Sequence, residues 1–540
     1  MTSASKNGRR LIGALAGTAA IALAITGCAP AGGGDSGASS IIVGTTDKVT
    51  FIDPAGSYDN GSFAIMNQVF PFLLNSPLGT SDVEPDIAVS AGYTSDTEYT
   101  VVLKDGLKFA NGNALTSSDV KFSFDRQVAI ADENGPSVLL YNLDSVEAVD
   151  DTTVVFHLKA ANDQVFPQIL SSPAGPIVDE EVFSADAVTP DADIVAGNAF
   201  AGQYVITSYD FNNLVSFEAN PEYQGVLGAA KTSRIDLKYY TDASNLKLDV
   251  QEGNIDVAHR SLSATDVADL QSNDAVNVIV GPGGEIRYIV FNFNTQPYGA
   301  ATAEADASKA LAVRQAVADL IDRAEISDQV YKGTYLPLYS YVPAGLTGAT
   351  EVLKDLYGDG SGGPDADAAA AVLSAAGVAT PLALNLQYNP DHYGESSGDE
   401  YALVKSQLEA TGLFTVNLQS TEWVTYAKER TDDAYPAYQL GWFPDYSDAD
   451  NYLTPFFADN NFLVNHYMDA EVNQLILDQA VETDAATRTG MLEDIQAKVA
   501  SQLSTLPLLQ GAQIAVTGTS VTGAVLDGSF KFRYGSLVKG

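Results

Sequence analysis

A short segment in the last quarter of the chain concentrates side chains suited to holding a polar ligand. Between Gln439 and Asp450 lie one tryptophan, one tyrosine and three aspartates: Trp442, Asp445, Tyr446, Asp448 and Asp450. A carboxylate accepts short, charge-assisted hydrogen bonds from an ammonium group, so this segment could bind a cation. Composition alone favours a different interpretation, a core tryptophan followed by a solvated acidic loop. The flanking sequence has to decide between these two interpretations.

Motifs for catalysis or metal binding do not support an enzyme. The chain has no His-Glu-x-x-His pair and no glycine-rich phosphate loop ending in lysine. The run 355–367 is acidic and glycine-rich but lacks the closing glutamate of an EF-hand. The four histidines are too scattered for a local metal site: His157, His259, His392 and His466. We predict a binding protein that is not an enzyme and has no metal site and no cofactor.

The only cysteine, Cys28, stands where a secretion signal would end. Three basic residues precede an uncharged stretch at 11–25, which is the order of a signal peptide. That stretch is shorter than the roughly 20 residues that span a bilayer. The small residues before Cys28 resemble a bacterial lipobox, in which the thiol is acylated. We predict a signal peptide at 1–27 and lipidation of Cys28; the alternative is a signal anchor with an incidental cysteine.

Composition places the rest of the chain outside the membrane and away from nucleic acid. Residues 28–40 are nearly all alanine, glycine, serine and proline, which predicts a flexible tether. The formal net charge of -41 argues against nucleic acid or an anionic lipid surface as a partner. We therefore expect a monomeric body, exported to the outer face of the cytoplasmic membrane and attached to that membrane by lipid alone.

Apolar spacing and turn residues alternate between strand and helix along the body. Residues 99–103 are predicted as a strand, followed by a hairpin turn and a return strand at 107–109. Thr116, with Asp119 three residues later, predicts the start of a helix. Further helices are predicted at 63–74, 307–331, 470–482 and 485–503. The alternation predicts an α/β fold.

Six motifs in order along the chain resemble the extracellular solute-binding proteins of the peptide/nickel type, the bacterial family 5. They are Pro85-Asp86-Ile87-Ala88 with the core at 103–112, 202–206 followed by Asn220-Pro221-Glu222-Tyr223, Gly253-Asn254-Ile255-Asp256, Val313-Arg314-Gln315-Ala316, Ile321-Asp322-Arg323, and Gly441-Trp442-Phe443-Pro444-Asp445-Tyr446. The resemblance extends over about residues 40–540. It favours the ligand-binding interpretation of the acidic segment.

The resemblance implies a two-lobed, periplasmic-binding-protein-like fold with a hinge and an extra small domain inserted in the first lobe. Lobe I would comprise residues 41–69, 199–287 and 505–540. The inserted domain would comprise 70–198, and lobe II 288–504. Such lobes close on their ligand about the hinge.

The resemblance also implies site residues. In peptide-binding relatives the aspartate that matches Asp445 pairs with the ligand's α-ammonium group, beside an aromatic wall that matches Trp442. The neighbouring backbone pairs with the peptide as an added strand, which reads no side chain. The predicted ligand-binding residues are Asp445, Trp442, Gly441, Phe443, Tyr446 and, as a candidate partner for the ligand carboxylate, His392. No other cation for that carboxylate is evident, because Gln439 stands where some oligopeptide binders have a basic residue.

The function implied by the resemblance is a lipid-anchored receptor that captures a peptide and delivers it to the permease subunits of an ABC importer. Within the same class, the ligand could be an oligosaccharide or a metal chelate. From a different class, the chain could be a surface enzyme or an adhesin that reuses the fold, since fold analogy alone does not decide function.

Overall fold

The computed structural model describes residues 40–260, 262–390, 392–394 and 396–540. The predicted signal peptide, the predicted lipidation site Cys28 and nearly all of the predicted tether lie outside the described residues. Within the described part of the chain, no helix combines the length and the apolar character needed to span a bilayer.

One large sheet of eleven strands runs through the molecule in the order β15-β14-β16-β12-β17-β11-β1-β10-β9-β8, with β13 also paired to β17. Its strands are β1 (Ile41–Thr45), β8 (Tyr204–Asp210), β9 (Leu214–Ala219), β10 (Arg234–Tyr239), β11 (Val257–His259), β12 (Val276–Phe291), β13 (Tyr335–Pro337), β14 (Leu382–Tyr388), β15 (Phe414–Ser420), β16 (Ala437–Trp442) and β17 (Thr505–Gly518). Parallel and antiparallel pairs are mixed, as the α/β alternation predicts.

A second sheet of four antiparallel strands has the order β4-β5-β7-β6. These strands are β4 (Ala88–Ser95), β5 (Glu98–Leu103), β6 (Leu143–Ala148) and β7 (Thr153–Leu158); two-residue strands occur at β2 (Leu74–Asn75), β3 (Glu84–Pro85), β18 (Val521–Thr522) and β19 (Val538–Lys539). The return strand predicted at 107–109 is wrong. Only Lys108 makes a bridge, to Ala114, because β5 takes its two neighbours from β4 and β7.

Helices cover the large sheet and the four-stranded sheet. They are α1 (Asn60–Val69), α2 (Ser117–Ile130), α3 (Phe166–Ile169), α4 (Asp191–Gly197), α5 (Ala243–Glu252), α6 (Ala264–Gln271), α7 (Ala307–Leu320), α8 (Arg323–Ile326), α9 (Val352–Leu356), α10 (Ala366–Ala375), α11 (Ser397–Glu409), α12 (Trp423–Glu429), α13 (Asp450–Phe457), α14 (Ala470–Gln479) and α15 (Ala485–Gln502). The start of α2 is confirmed, because Thr116 and Asp119 form a reciprocal capping box.

Two predicted helices end earlier than their apolar spacing suggests. The helix predicted at 63–74 ends at Val69 with Phe70 as its cap, because Pro71 disfavours helical backbone in the residue before it. The second stops at Leu320, because the Asp322 side chain accepts the backbone N–H of Glu325 at 2.8 Å and starts a new helix.

The buried apolar residues fall into separate cores. The largest core lies between Ile286 and Leu509, and a second combines residues from the N-terminal strand, from 178–257 and from the C-terminal tail. A third core lies between Leu73 and Ala201 and contains the four-stranded sheet. The domain limits expected from the resemblance, with the insertion at 70–198, stay a prediction.

Strands β12 and β17 join these cores. They pair antiparallel from Val276 opposite Gly518 to Val290 opposite Thr505. The register shifts between Pro282 and Ile286, which is the signature of a β-bulge. The bulge lies in the middle of the ladder, where the strand path bends.

A buried ion pair fastens helix α2 to the segment that follows β1. Arg126 Nη1 and Nη2 donate to the two Asp53 carboxylate oxygens, each at 2.8 Å, and both side chains are almost completely buried. The same carboxylate accepts the backbone N–H of Thr189 at 2.6 Å. This carboxylate therefore ties together three distant stretches of chain.

We expect Asp53→Ala to lower the free energy of unfolding by about 3–5 kcal/mol, because it leaves the Arg126 guanidinium buried and unpaired. Urea unfolding followed by circular dichroism measures the loss. Asp125→Ala is the matched control, because it breaks an exposed pair with Lys121 on the same helix and should cost less than about 1 kcal/mol. Equal losses in the two variants would contradict this role for Asp53.

Candidate functional site

A cavity of about 630 Å³ lies beside the bulge of β12. This volume is in the range of pockets that enclose small ligands, about 300–1,000 Å³. Its wall combines residues from the N-terminal segment, the four-stranded-sheet region, β12, β17 and the segment after β16. The polar and aromatic residues in that wall include Tyr58, Asp59, Phe63, Ser171, His259, Arg260, Glu285, Tyr335, Phe443, Asp445, Tyr446, Phe530 and Lys531.

Asp445 lies in the cavity wall on the loop between β16 and α13. The Tyr58 hydroxyl donates to Asp445 Oδ1, and Asn451 Nδ2 donates to Oδ2 at 3.1 Å. Burial, followed by the charge of Asp445, raises the pKa of Tyr58, so the tyrosine is the proton donor in this pair. The Asp445 carboxylate therefore accepts hydrogen bonds from Tyr58 and Asn451, two residues that lie far from each other in the sequence.

Asn451 organises the whole loop. Its Oδ1 accepts the Trp442 indole N–H at 3.0 Å and the backbone N–H of Asp445 at 2.9 Å. Together with the bond from Nδ2, one amide fixes both the backbone and the carboxylate of Asp445. Asn451 is buried in the first turn of α13, so the helix positions the loop.

The other two aspartates of the segment are engaged in packing rather than in the cavity wall. Asp448 accepts two bonds from the Arg488 guanidinium, at 2.7 and 2.9 Å. Asp450 accepts the Tyr446 hydroxyl at 3.1 Å, and burial raises the pKa of its carboxyl. Of the three carboxylates in this segment, Asp445 is the one that lines the cavity.

The cavity brings together three of the residues predicted to bind ligand: Phe443, Asp445 and Tyr446. Phe443 is 44% exposed, while Tyr446 also packs against the core between Leu73 and Ala201. The loop after β16 therefore spans from the large sheet to the four-stranded-sheet region.

The structure places the other three predicted residues away from the cavity wall. The Trp442 ring packs edge-on against Phe456 at 5.1 Å between centroids. Gly441 pairs with β12, and a Cβ there would lie 2.8 Å from the Tyr393 ring. His392 stacks on Trp423 at 3.8 Å. Trp442 and Gly441 support the loop from behind.

Sequence reasoning missed another carboxylate in the wall, Glu285. It lies in the bulge of β12, accepts the Tyr335 hydroxyl at 2.5 Å and accepts Arg287 Nε at 3.2 Å. Arg287 also pairs with the buried Glu400 at 3.1 Å. No local pattern marks Glu285, because a bulge is a property of strand pairing and not of the residues in one strand.

The buried cation Lys531 was also missed. Its ammonium group donates to the Ser171 backbone oxygen and hydroxyl, both at 2.6 Å. Burial, followed by the charge of Arg533, lowers the pKa of Lys531 well below its usual value. This lysine fastens the C-terminal tail to the four-stranded-sheet region along one wall of the cavity.

Chemically, the site can receive a polar ligand with a cationic group. Asp445 supplies a carboxylate, and Tyr58, Tyr335 and Ser171 supply hydroxyls beside aromatic surface. An ammonium group carries three donors and no acceptor, which matches a carboxylate with open lone pairs. The arrangement is suited to recognition of such a ligand.

We expect Asn451→Ala to lower the free energy of unfolding by about 1–3 kcal/mol, because it removes the partner of Trp442 and of the Asp445 backbone. Asn473→Ala is the control, since its amide oxygen accepts one backbone bond from Asp459 in an exposed loop. Urea titrations of the two variants measure the difference. A loss no larger in Asn451→Ala than in the control would show that the loop holds its shape without this amide.

Comparison with known proteins places this fold among solute receptors. The family model for the middle region of the bacterial extracellular solute-binding proteins, family 5, matches residues 82–463. The probable D,D-dipeptide-binding periplasmic protein of Escherichia coli (strain K12) is 23% identical over 90% of this chain and 91% of its own length. A dipeptide-binding protein of Bacillus subtilis (strain 168) is 22% identical over 91% of this chain and 90% of its own length. The structure of HbpA2 from Haemophilus parasuis superposes with a TM-score of 0.79 at 20% identity, covering 93% of this chain and all of that one, which confirms the predicted two-lobed α/β fold.

Proposed function

The chain belongs to the bacterial extracellular solute-binding proteins of family 5, and from this premise we propose that it captures short peptides between its lobes for an ABC importer. The permease subunits of that importer would be its protein partners. It would release the peptide unchanged, as a receptor and not as an enzyme. Similar proteins named for dipeptide binding support the choice of ligand.

The observation that carries the proposal is the position of Asp445 in the cavity wall. Its carboxylate is held by Tyr58 from the N-terminal segment and by Asn451 from the loop's own helix. A peptide's α-ammonium group would bring donors to the same carboxylate. The remaining wall offers aromatic surface and hydroxyls, which suit a polar chain without demanding one side chain.

We propose further that the receptor is exported and anchored to the outer face of the membrane through a lipid on Cys28. Support comes from the basic, apolar and small residues that precede this cysteine and from the glycine-rich and alanine-rich stretch that follows. A diacylglyceryl group supplies the two chains that stable anchoring needs. Retention at the surface would keep captured peptide close to the importer.

Asp445→Ala should weaken binding of peptides with a free N-terminus by about 3–5 kcal/mol, because the ammonium group would be enclosed without its counter-charge. Isothermal titration calorimetry with alanine peptides, free and N-acetylated, measures the effect. The acetylated peptides should lose little on substitution of Asp445. Asp459→Ala, at an exposed aspartate after α13, is the control for the loss of one negative charge.

Unchanged affinity in Asp445→Ala would contradict the assignment of Asp445 to the ammonium group. Tight binding of a ligand without any amine, equal in both proteins, would instead favour an oligosaccharide or a metal chelate as the cargo. Turnover of a bound peptide would favour a surface enzyme.

Cys28→Ser should release the protein from the membrane fraction into the medium while peptide affinity stays the same. The physical reason is that the thiol would carry the lipid, whereas the cavity is built from residues beyond position 57. Fractionation of cells that express either form, with immunoblotting, measures release, and calorimetry on the released protein measures affinity. Membrane retention of Cys28→Ser would instead indicate a signal anchor.

A further inference from the structure

A carboxylate in the cavity wall, Glu285, shares one buried arginine with a second carboxyl group behind the wall, Glu400. We propose that Glu285 binds a cationic side chain of the ligand and that Glu400 releases a proton when this cation binds. The inference rests on the proposed function, and it adds a preference for peptides that contain a basic residue.

The Glu285 carboxylate lies between the interior of the protein and the cavity. Its Oε1 accepts Arg287 Nε at 3.2 Å, and its Oε2 accepts the hydroxyl of Tyr335, another residue of the wall, at 2.5 Å. A Cβ at Gly511, also in the wall, would lie 3.5 Å from Oε2. Since glycine has no side chain, the space beside this oxygen stays open. A carboxylate has about four lone-pair sites, so Oε2 can accept a further donor from that space.

One guanidinium group serves both glutamates. Arg287 is buried, and its Nη1 donates to Glu400 Oε2 at 3.1 Å while its Nε donates to Glu285. Its other hydrogen bonds go to the tyrosine oxygens around it, those of the Tyr331 hydroxyl, the Tyr335 hydroxyl and the Tyr393 backbone carbonyl. Among the described residues, no other lysine or arginine pairs with either glutamate. If both glutamates were ionised, they would carry one more charge than Arg287 balances.

Glu400 is the member of this group that is placed to hold a proton. It is completely buried in α11, and its Oε1 has no hydrogen-bond partner among the described residues. Its Oε2 accepts the Tyr331 hydroxyl at 2.7 Å in addition to Arg287. A buried charge with an unpaired oxygen is costly, and a neutral carboxyl group costs less. Consistent with this, burial raises the pKa of Glu400 in spite of the nearby guanidinium.

A ligand cation at Glu285 would shift this balance of charge. The titratable groups that face Glu400 are Arg287 and Glu285 on β12, Tyr331 after α8, and Tyr401 on its own helix. Burial raises the pKa of both tyrosines, so they stay neutral at pH 7. An added positive charge beside Glu285 favours the ionised form of Glu400 and therefore lowers its pKa. Binding of the cation should thus release a proton and not take one up.

Calorimetry with trialanine, and with trialanine in which each position in turn carries lysine or norleucine, tests the role of Glu285. Norleucine has nearly the length of lysine without its charge. At one position, lysine should bind about 10–100-fold more tightly than norleucine, as expected for a charge-assisted hydrogen bond. Glu285→Gln should remove this ratio. Glu351→Gln is the matched control and should keep it, because Glu351 is 66% exposed and pairs with Lys354 outside the cavity wall.

The same titrations in phosphate and in Tris, whose ionisation enthalpies differ, count the protons that binding releases. At pH 7 the wild-type protein should release more protons with the preferred lysine peptide than with its norleucine counterpart. The peptide termini titrate alike in both, so the difference belongs to the protein. Glu400→Gln should remove the difference.

The comparisons within the wild-type protein need no variant, so they stay informative if Glu285→Gln or Glu400→Gln folds poorly. Peptide binding with no advantage for lysine at any position would overturn the role of Glu285 and leave the peptide proposal intact. A lysine advantage that persists in folded Glu285→Gln would overturn it as well. A lysine advantage without extra proton release would overturn the role of Glu400. If no peptide of the set binds the wild type, the proposed function fails and this inference fails with it.

Discussion

The structure depends on one antiparallel ladder, formed by β12 and β17, that runs through both large cores. Side chains from Ile286 to Leu509 pack on one half of it, while its other half joins β11 and the N-terminal strand. The register of this ladder shifts at a bulge between Pro282 and Ile286. Glycines allow the close approach there, since a Cβ at Gly283 would lie 2.2 Å from the Gly511 carbonyl oxygen. Gly283, Gly284 and Glu285 of this bulge line the cavity, so the ladder and the candidate site share residues.

The elements that follow from local rules could be predicted from the sequence. The helix after Thr116 was predicted because a capping box is made by residues three apart. The strand expected at 107–109 does not form, because β5 already has two neighbours and an apolar run does not reveal them. The helix expected at 307–331 ends at Leu320. Asp322 caps a new helix there, although the helical spacing of apolar residues continues past this point. The spacing of apolar residues indicates which face of an element is buried, whereas the pairing of strands depends on the rest of the chain.

The same limit explains which part of the site was predicted. Asp445 was identified because it lies in a motif that can be seen within six residues. Its partner Tyr58 lies 387 positions earlier, and the bond from Lys531 to Ser171 spans 360 positions. Such contacts exist only after the sheets have formed, so no local pattern contains them. Trp442, expected to be an aromatic wall of the site, is not among the residues that line the described cavity, and it donates its indole N–H to Asn451, which also holds Asp445.

Because Asp445 already accepts a hydrogen bond from Tyr58 in the cavity wall, binding of the proposed ligand would be an exchange of donors and not a simple addition. An incoming ammonium group has to compete with or join a hydroxyl that already donates to the carboxylate. The hydroxyl offers one donor and no charge, whereas the ammonium offers three donors and a full charge. A charged donor forms the stronger hydrogen bond, so under the proposed function the exchange would favour the ligand. Tyr58 and Asp445 come from opposite ends of the chain, and their contact forms only when those ends approach. Under the proposed function, the approach of these two segments and recognition of the ammonium group would draw on the same carboxylate.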